Sequence, residues 1–251
     1  MSTTASILLL QGDAEARLLA DGEAALQAVF ADRQVALVKA WATRPDWLDP
    51  AAPAPPERLR RCGALPDIDV RDLLQQPHHL VILALLPALT VPALRHRDGG
   101  VFLAHQGVRA GWTAEMSASV AAECTEELPL TAADAAAALA PVIESLQARG
   151  SVVAVCKAFR HVRERRDHRG REGPPALREA IRRLNLEIAH LSRRTGCFVL
   201  DLDRPLAQEG AASLDADCFG GSGRAAEIAL DEFAAMVMDA LPDLMMPPEF
   251  V

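Results

Sequence analysis

The chain has no tyrosine, and aromatic residues make up only 4% of it. Stacking platforms for bases or sugar rings are therefore scarce. A positive balance is missing as well. The net charge is −8, which disfavours non-specific attraction to nucleic acid or to an anionic membrane surface. No apolar run reaches the roughly 18 residues that a membrane-spanning helix needs. The apolar stretch Ile7–Leu10 is short, no Lys or Arg precedes it, and Gln11-Gly12-Asp13 follows at once, so it lacks the layout of an export signal. The five cysteines, Cys62, Cys124, Cys156, Cys197 and Cys218, are scattered, with no C-x-x-C pair among them. Neither a zinc site nor a disulfide framework is expected. These absences lead to the expectation of a cytoplasmic protein with no metal, no cofactor, no nucleic-acid partner and no membrane.

What is present suits a soluble α/β protein. The chain has 251 residues, 50% hydrophobic and 24% charged, enough to bury a sizeable core. Short continuous apolar runs alternate with helical patterns. Ile7–Leu10, Val35–Trp41, His79–Leu86, Ser151–Ala158 and Cys197–Leu202 read as buried strands. Helices are expected over Ala14–Phe30, from Asp69 to Gln76, over Ser117–Glu127, after Thr131 to Arg149, from Pro174 or Pro175 to Thr195, and from Arg224 to Leu241. Gly150 and Gly196 stand where helices end. The five prolines between Pro45 and Pro56 mark a loop. Residues 93–115 read as a long irregular crossover. Five apolar strands separated by helices predict one α/β domain over residues 1–244, a three-layer α/β/α sandwich around a five-stranded parallel sheet. It carries an irregular insert at about 87–116 and a tail at 245–251.

In such sheets ligands sit beyond the carboxyl ends of the strands. Four segments fall on that edge: Gln11–Ala14, Pro87–Gly111, Phe159–Gly173 and Asp203–Gly223. At the first, Gly12 and Asp13 lead from a strand into a helix, which reads either as a tight turn capped by Asp13 or as a mount for a nucleophile or anion. The third carries six arginines, Arg160, Arg163, Arg165, Arg166, Arg169 and Arg171. They read either as an anion clamp for a phosphate, sulfate or acidic glycan or as a solvated loop paired with its own acids. No aromatic residue is interleaved with them, which argues against nucleic acid. In the fourth, Asp215 precedes Cys218 by three residues and Gly223 follows it by five. Cys218 reads as a thiol nucleophile or as a small loop residue. Cys156 and Cys197, inside apolar runs, read as core, and His78-His79 as a strand-entry turn. The tail, Met245 to Val251, is apolar for an exposed end and suits docking on its own chain, on a protein partner or on a second copy.

Strand, Gly-Asp and helix at the start, with Asp-x-x-Cys-x-x-x-x-Gly before the last helix, resembles the SGNH (GDSL-type) hydrolase superfamily. The run Leu184–Leu202 is similar to that family's last helix-strand unit, and Gly63 falls where the family carries its second glycine block. The resemblance implies a flavodoxin-like sheet and an ester hydrolase built on a Gly-Asp-Ser nucleophile, an oxyanion hole that includes an asparagine, and an Asp-x-x-His pair. Gly12, Asp13, Asp215 and Gly223 match. Ala14 stands at the nucleophile position, Cys218 at the base, and the third strand runs into Leu85-Leu86-Pro87-Ala88 with no amide side chain. Alanine has no nucleophile, and a thiol is a poor general base near neutral pH. Three readings follow. The first is a binding or accessory protein on a stripped hydrolase scaffold, taking a small molecule or carbohydrate. The second is an ester hydrolase or acyltransferase acting on a carbohydrate through an atypical site, with Asp13, Asp215 and Cys218 as the catalytic candidates. The third is an anion-binding module using Arg160, Arg163, Arg165 and Arg166, with Gly12 and Gly63 lining the ligand site.

Overall fold

A computed structural model describes residues 5–11, 22–29, 35–41, 44, 45, 48, 70–98, 100–103, 109–158, 175–209 and 224–242. The first strand, β1 (Ala5–Gln11), is followed by α1 (Gly22–Val29) and β2 (Val35–Trp41). Then come α2 (Val70–Gln75), β3 (Leu80–Ala84) and α3 (Leu86–Thr90). A small unit follows: β4 (Ala93–His96), β5 (Val101–Leu103), α4 (Ala114–Glu123) and β6 (Cys124–Glu127). The chain closes with α5 (Ala132–Ala148), β7 (Val152–Cys156), α6 (Pro175–Thr195), β8 (Phe198–Leu200), α7 (Asp203–Glu209) and α8 (Arg224–Ala240).

The main sheet has five strands in the order β2-β1-β3-β7-β8, and every pairing in it is parallel. Side chains alternate between its faces. Ile7, Leu9, Leu80, Ile82, Ala154 and Cys156 point to one side, where they pack with Leu26 of α1 and Phe233 and Val237 of α8. Leu8, Leu10, Val81, Leu83, Val153 and Val155 point to the other, against Leu139 and Ile143 of α5 and Leu184, Ile188 and Leu191 of α6. The central strands β1, β3 and β7 are buried on both faces, which is why they read as near-continuous apolar runs rather than as alternating ones. The expected three-layer α/β/α sandwich with a flavodoxin-like strand order is the fold.

Local chemistry sets the helix ends. Thr131 caps α5 by accepting the N–H of Asp134 at 3.2 Å. Gly150 (φ 88°) and Gly196 (φ 73°) take the left-handed conformation just past α5 and α6, as their positions in the sequence suggest. His78 and His79 form the expected turn into β3. The His78 ring meets Ser6 Oγ and the Leu73 carbonyl, each at 2.9 Å, and His79 Nδ1 accepts the Ser6 N–H at 3.1 Å.

The insert departs from its sequence reading. Residues 93–115 are not simply an irregular crossover, because β4 and β5 form within them. The helix expected over Ser117–Glu127 covers only Ala114–Glu123, and Cys124–Glu127 is a strand. The three strands make a second, antiparallel sheet in the order β5-β4-β6. Strands of three or four residues carry too little periodicity to declare themselves, and Cys-Thr-Glu-Glu is extended because β4 offers it a partner. The third strand of the main sheet also ends earlier than expected, since Leu86-Pro87 starts a helical turn. Asp203–Glu209, read as part of a loop segment, forms α7. Among the described residues no helix is long and apolar enough to cross a membrane.

Candidate functional site

The carboxyl ends of the parallel strands define where a ligand has access to strand-end groups. The residues nominated from sequence, Gly12, Asp13, Ala14, Gly63, Arg160, Arg163, Arg165, Arg166, Asp215 and Cys218, all lie outside the described residues. What the structure describes is the floor of the edge on which the sequence places them.

That floor has an apolar part and a charged part. β3 ends at Ala84 and passes at once into α3, with Leu85, Leu86 and Ala88 buried. Within the turn the Ala88 N–H donates to the Leu85 carbonyl at 3.0 Å, the Val91 N–H to the Pro87 carbonyl at 2.9 Å and Thr90 Oγ1 to the Leu86 carbonyl at 3.0 Å. Leu85 at the helix start supplies no side-chain cap. No polar side chain issues from this strand end.

The charged part belongs to β7 and β8. Lys157 directly follows β7, and its N–H donates to the Leu200 carbonyl at 2.9 Å. Asp201 directly follows β8. The Lys157 ammonium donates to Asp201 Oδ2 at 2.5 Å. The next residue, Ala158, is clamped by Asn185 of α6. The Ala158 N–H donates to Asn185 Oδ1 at 2.9 Å, and Asn185 Nδ2 donates back to the Ala158 carbonyl at 2.8 Å. The strand ends that carry Lys157 and Asp201 are thereby fixed from two sides. Sequence reasoning missed all three residues. The available signal was a lone charged residue ending each apolar run, Val152–Cys156 then Lys157, and Phe198–Leu200 then Asp201.

The small sheet is tied to the chain just beyond β2. Glu127, at the end of β6, takes a two-pronged contact from Arg95 of β4, through Nε to Oε1 and through Nη2 to Oε2 at 3.2 Å. Arg44, buried three residues past β2, donates to the same Oε2 at 2.9 Å. The hydrogen bond from Arg95 holds the Glu127 carboxyl below its ordinary range; burial opposes this, and the positive charges of Arg95 and Arg44 assist it. Buried His96 lies beside Glu123, Nε2 to Oε2 at 3.2 Å, and its Nδ1 accepts the Asp98 N–H at 3.1 Å. Cys124 is the cross-strand partner of His96. Burial, with help from the charge of Glu123, pushes its thiol up, so it stays protonated near neutral pH and is a weak nucleophile.

Cys156 and Cys197 are buried, as the sequence suggests. Among the described residues a serine and a histidine are hydrogen-bonded at Ser6 and His78. That pair sits at the amino end of the sheet, away from the ligand edge. No group of three or more His, Cys, Asp or Glu suited to a metal occurs among the described residues.

No family model matches the chain, and no curated protein matches it. Solved structures do. A candidate SGNH hydrolase from Slackia heliotrinireducens is 14% identical over 93% of this chain and 98% of its own, with a TM-score of 0.45. The esterase EstA from Pseudoalteromonas sp. is 12% identical over 94% and 98%, with a TM-score of 0.46. A catalytic mutant of Axe2, an acetylxylan esterase from Geobacillus stearothermophilus, is 10% identical over 96% of each chain, with a TM-score of 0.49.

Proposed function

We propose that this chain is a degenerate relative of the SGNH hydrolases that binds a ligand at the carboxyl edge of its sheet without hydrolysing it. The observation that carries the reading is the end of β3. Ester hydrolysis in that family calls for a polar group on this strand end to help hold the oxyanion. Here the strand runs into Leu85, Leu86, Pro87 and Ala88, a buried apolar turn. A donor missing from an oxyanion hole costs about 2.7–4 kcal/mol of transition-state stabilisation. Ala14 at the serine position and Cys218 at the histidine position remove the nucleophile and the base as well. One loss is open to compensation; three in one machine argue for a scaffold that has kept its fold and given up its chemistry.

The test is turnover of p-nitrophenyl acetate and butyrate by the purified protein. The expected rate equals that of buffer. A rate that rises with protein concentration and is abolished by an organophosphonate inhibitor sinks the reading. It would instead favour an ester hydrolase or acyltransferase whose nucleophile is placed elsewhere.

A further inference from the structure

We infer that Lys157 and Asp201 are the polar contact of the ligand site, and that they take a neutral ligand carrying two adjacent hydroxyl groups. The inference rests on the binding reading above and names the ligand class. Four observations lead to it. The pair stands at the carboxyl ends of two neighbouring strands, β7 and β8, on the edge where ligands of such sheets sit. It is held rigidly, by the Lys157 to Leu200 backbone bond and by the Asn185 clamp on Ala158, the kind of support a recognition group needs. It meets solvent, with Lys157 26% and Asp201 28% exposed. Finally, it is incomplete. Asp201 Oδ2 holds the ammonium, while Oδ1 is turned away from solvent and has no donor.

An acceptor left in that state is unfavourable, and a pin between two strand ends is better made from apolar side chains than from a half-satisfied ion pair. The ligand that completes the pair follows from its unused valences. An ammonium has three N–H donors, and one faces Asp201. A carboxylate oxygen has two lone-pair sites, so Oδ2 can accept a second donor from the solvent side while keeping Lys157 on the first. The ligand must then present a donor to the carboxylate and, next to it, an acceptor to the ammonium. A vicinal diol has both. The pair carries no net charge, so it lacks the excess positive potential that would select a free anion. The choice of cation fits this reading. Lysine occurs in this chain at 39 and 157, against a Lys plus Arg total of 26. At the ligand edge the chain uses the compact, rotatable donor rather than the planar fork that suits carboxylate and phosphate.

Two lysines also give a simple spectrum. With 13C-labelled lysine, the Lys157 side-chain signal is the one that disappears in Lys157→Met. Titration with cis-1,2-cyclohexanediol and with myo-inositol is expected to shift that signal with millimolar affinity, while cyclohexanol binds at least about tenfold more weakly. Asp201→Asn is expected to weaken diol binding about tenfold in a protein whose backbone spectrum stays folded. A Lys157 signal unmoved by either diol, moved equally by cyclohexanol, or moved only by inorganic phosphate overturns the proposal. So does loss of thermal stability in Asp201→Asn without any change in diol binding, which would make the pair a structural pin. Esterase turnover would remove the non-hydrolytic reading and leave the diol contact standing. Failure of the diols would do the reverse.

Discussion

Replacing Glu127 by glutamine should loosen the small sheet from the main body. The Arg44 side chain is 5% exposed, Glu127 29% and Arg95 42%. The contact between Glu127 and Arg95 is therefore largely solvated and contributes under about 1 kcal/mol. The contact with Arg44 is different, because a buried guanidinium loses a charge-assisted bond, worth about 1.5–3 kcal/mol. Glutamine keeps the shape but brings an amide N–H2 against two cations. A loss of about 2–3 kcal/mol follows, or about 4–12 °C in melting temperature for a chain of this size. The pH dependence has a definite sign. The folded-state carboxyl of Glu127 is held below its ordinary range, so its contribution is complete above the unfolded value of about 4.3 and is lost as pH falls through the lower folded value. The gap between wild type and Glu127→Gln should be constant from about pH 7 to pH 5 and should close below about pH 4. Urea denaturation across that range measures the gap, and hydrogen exchange should show the extra opening in β4 and β6 but not in β1 or β3. A gap under about 0.5 kcal/mol at neutral pH, or one that persists unchanged in acid, refutes the reasoning.

Gly196→Ala should cost about 1–2 kcal/mol, seen as a lower denaturation midpoint. A Cβ there meets nothing within 4 Å, so the whole cost comes from the backbone at φ 73°; no loss would show that the turn relaxes freely. Asn185→Leu removes both bonds to Ala158 and leaves a buried N–H and C=O unpaired, for a loss of about 2–4 kcal/mol by denaturation. In a background carrying Cys62→Ser and Cys218→Ser, Cys124 should react with a disulfide reagent more slowly than free cysteine at pH 8, because burial and Glu123 keep its thiol protonated. Reaction as fast as free cysteine would contradict that.

The main sheet was legible because its central strands are near-continuous apolar runs, the pattern that burial on both faces calls for. Thr131, Gly150 and Gly196 were legible as helix ends because their chemistry is local. The small sheet was not. Arg95, Thr125 and Glu126 gain their extended conformation from pairing across the β4–β6 contact, and a reading confined to neighbours in the chain cannot contain it. The same reason hid Lys157 and Asp201. Each is a single charged residue after an apolar run, 44 positions from the other, and only the pairing of β7 with β8 makes them one group. The residues that looked most like a site, Asp13, Asp215 and Cys218, stood out through a family pattern rather than through geometry.

The residues that fix the fold and the residues nominated for a site are different sets. The core that fixes this fold is made of Leu8, Leu10, Val81, Leu83, Val153 and Val155 on one face and Ile7, Leu9, Leu80, Ile82 and Ala154 on the other. None of these is a site residue, and each position nominated for catalysis lies outside the described strands and helices. On the non-hydrolytic reading proposed above, the strand ends remain a rigid frame on which another contact can be selected. Lys157 and Asp201 are such a contact. They sit on the frame itself and are held by backbone and by Asn185. A scaffold that kept this pair while losing its nucleophile would keep its ligand edge and change only what happens there.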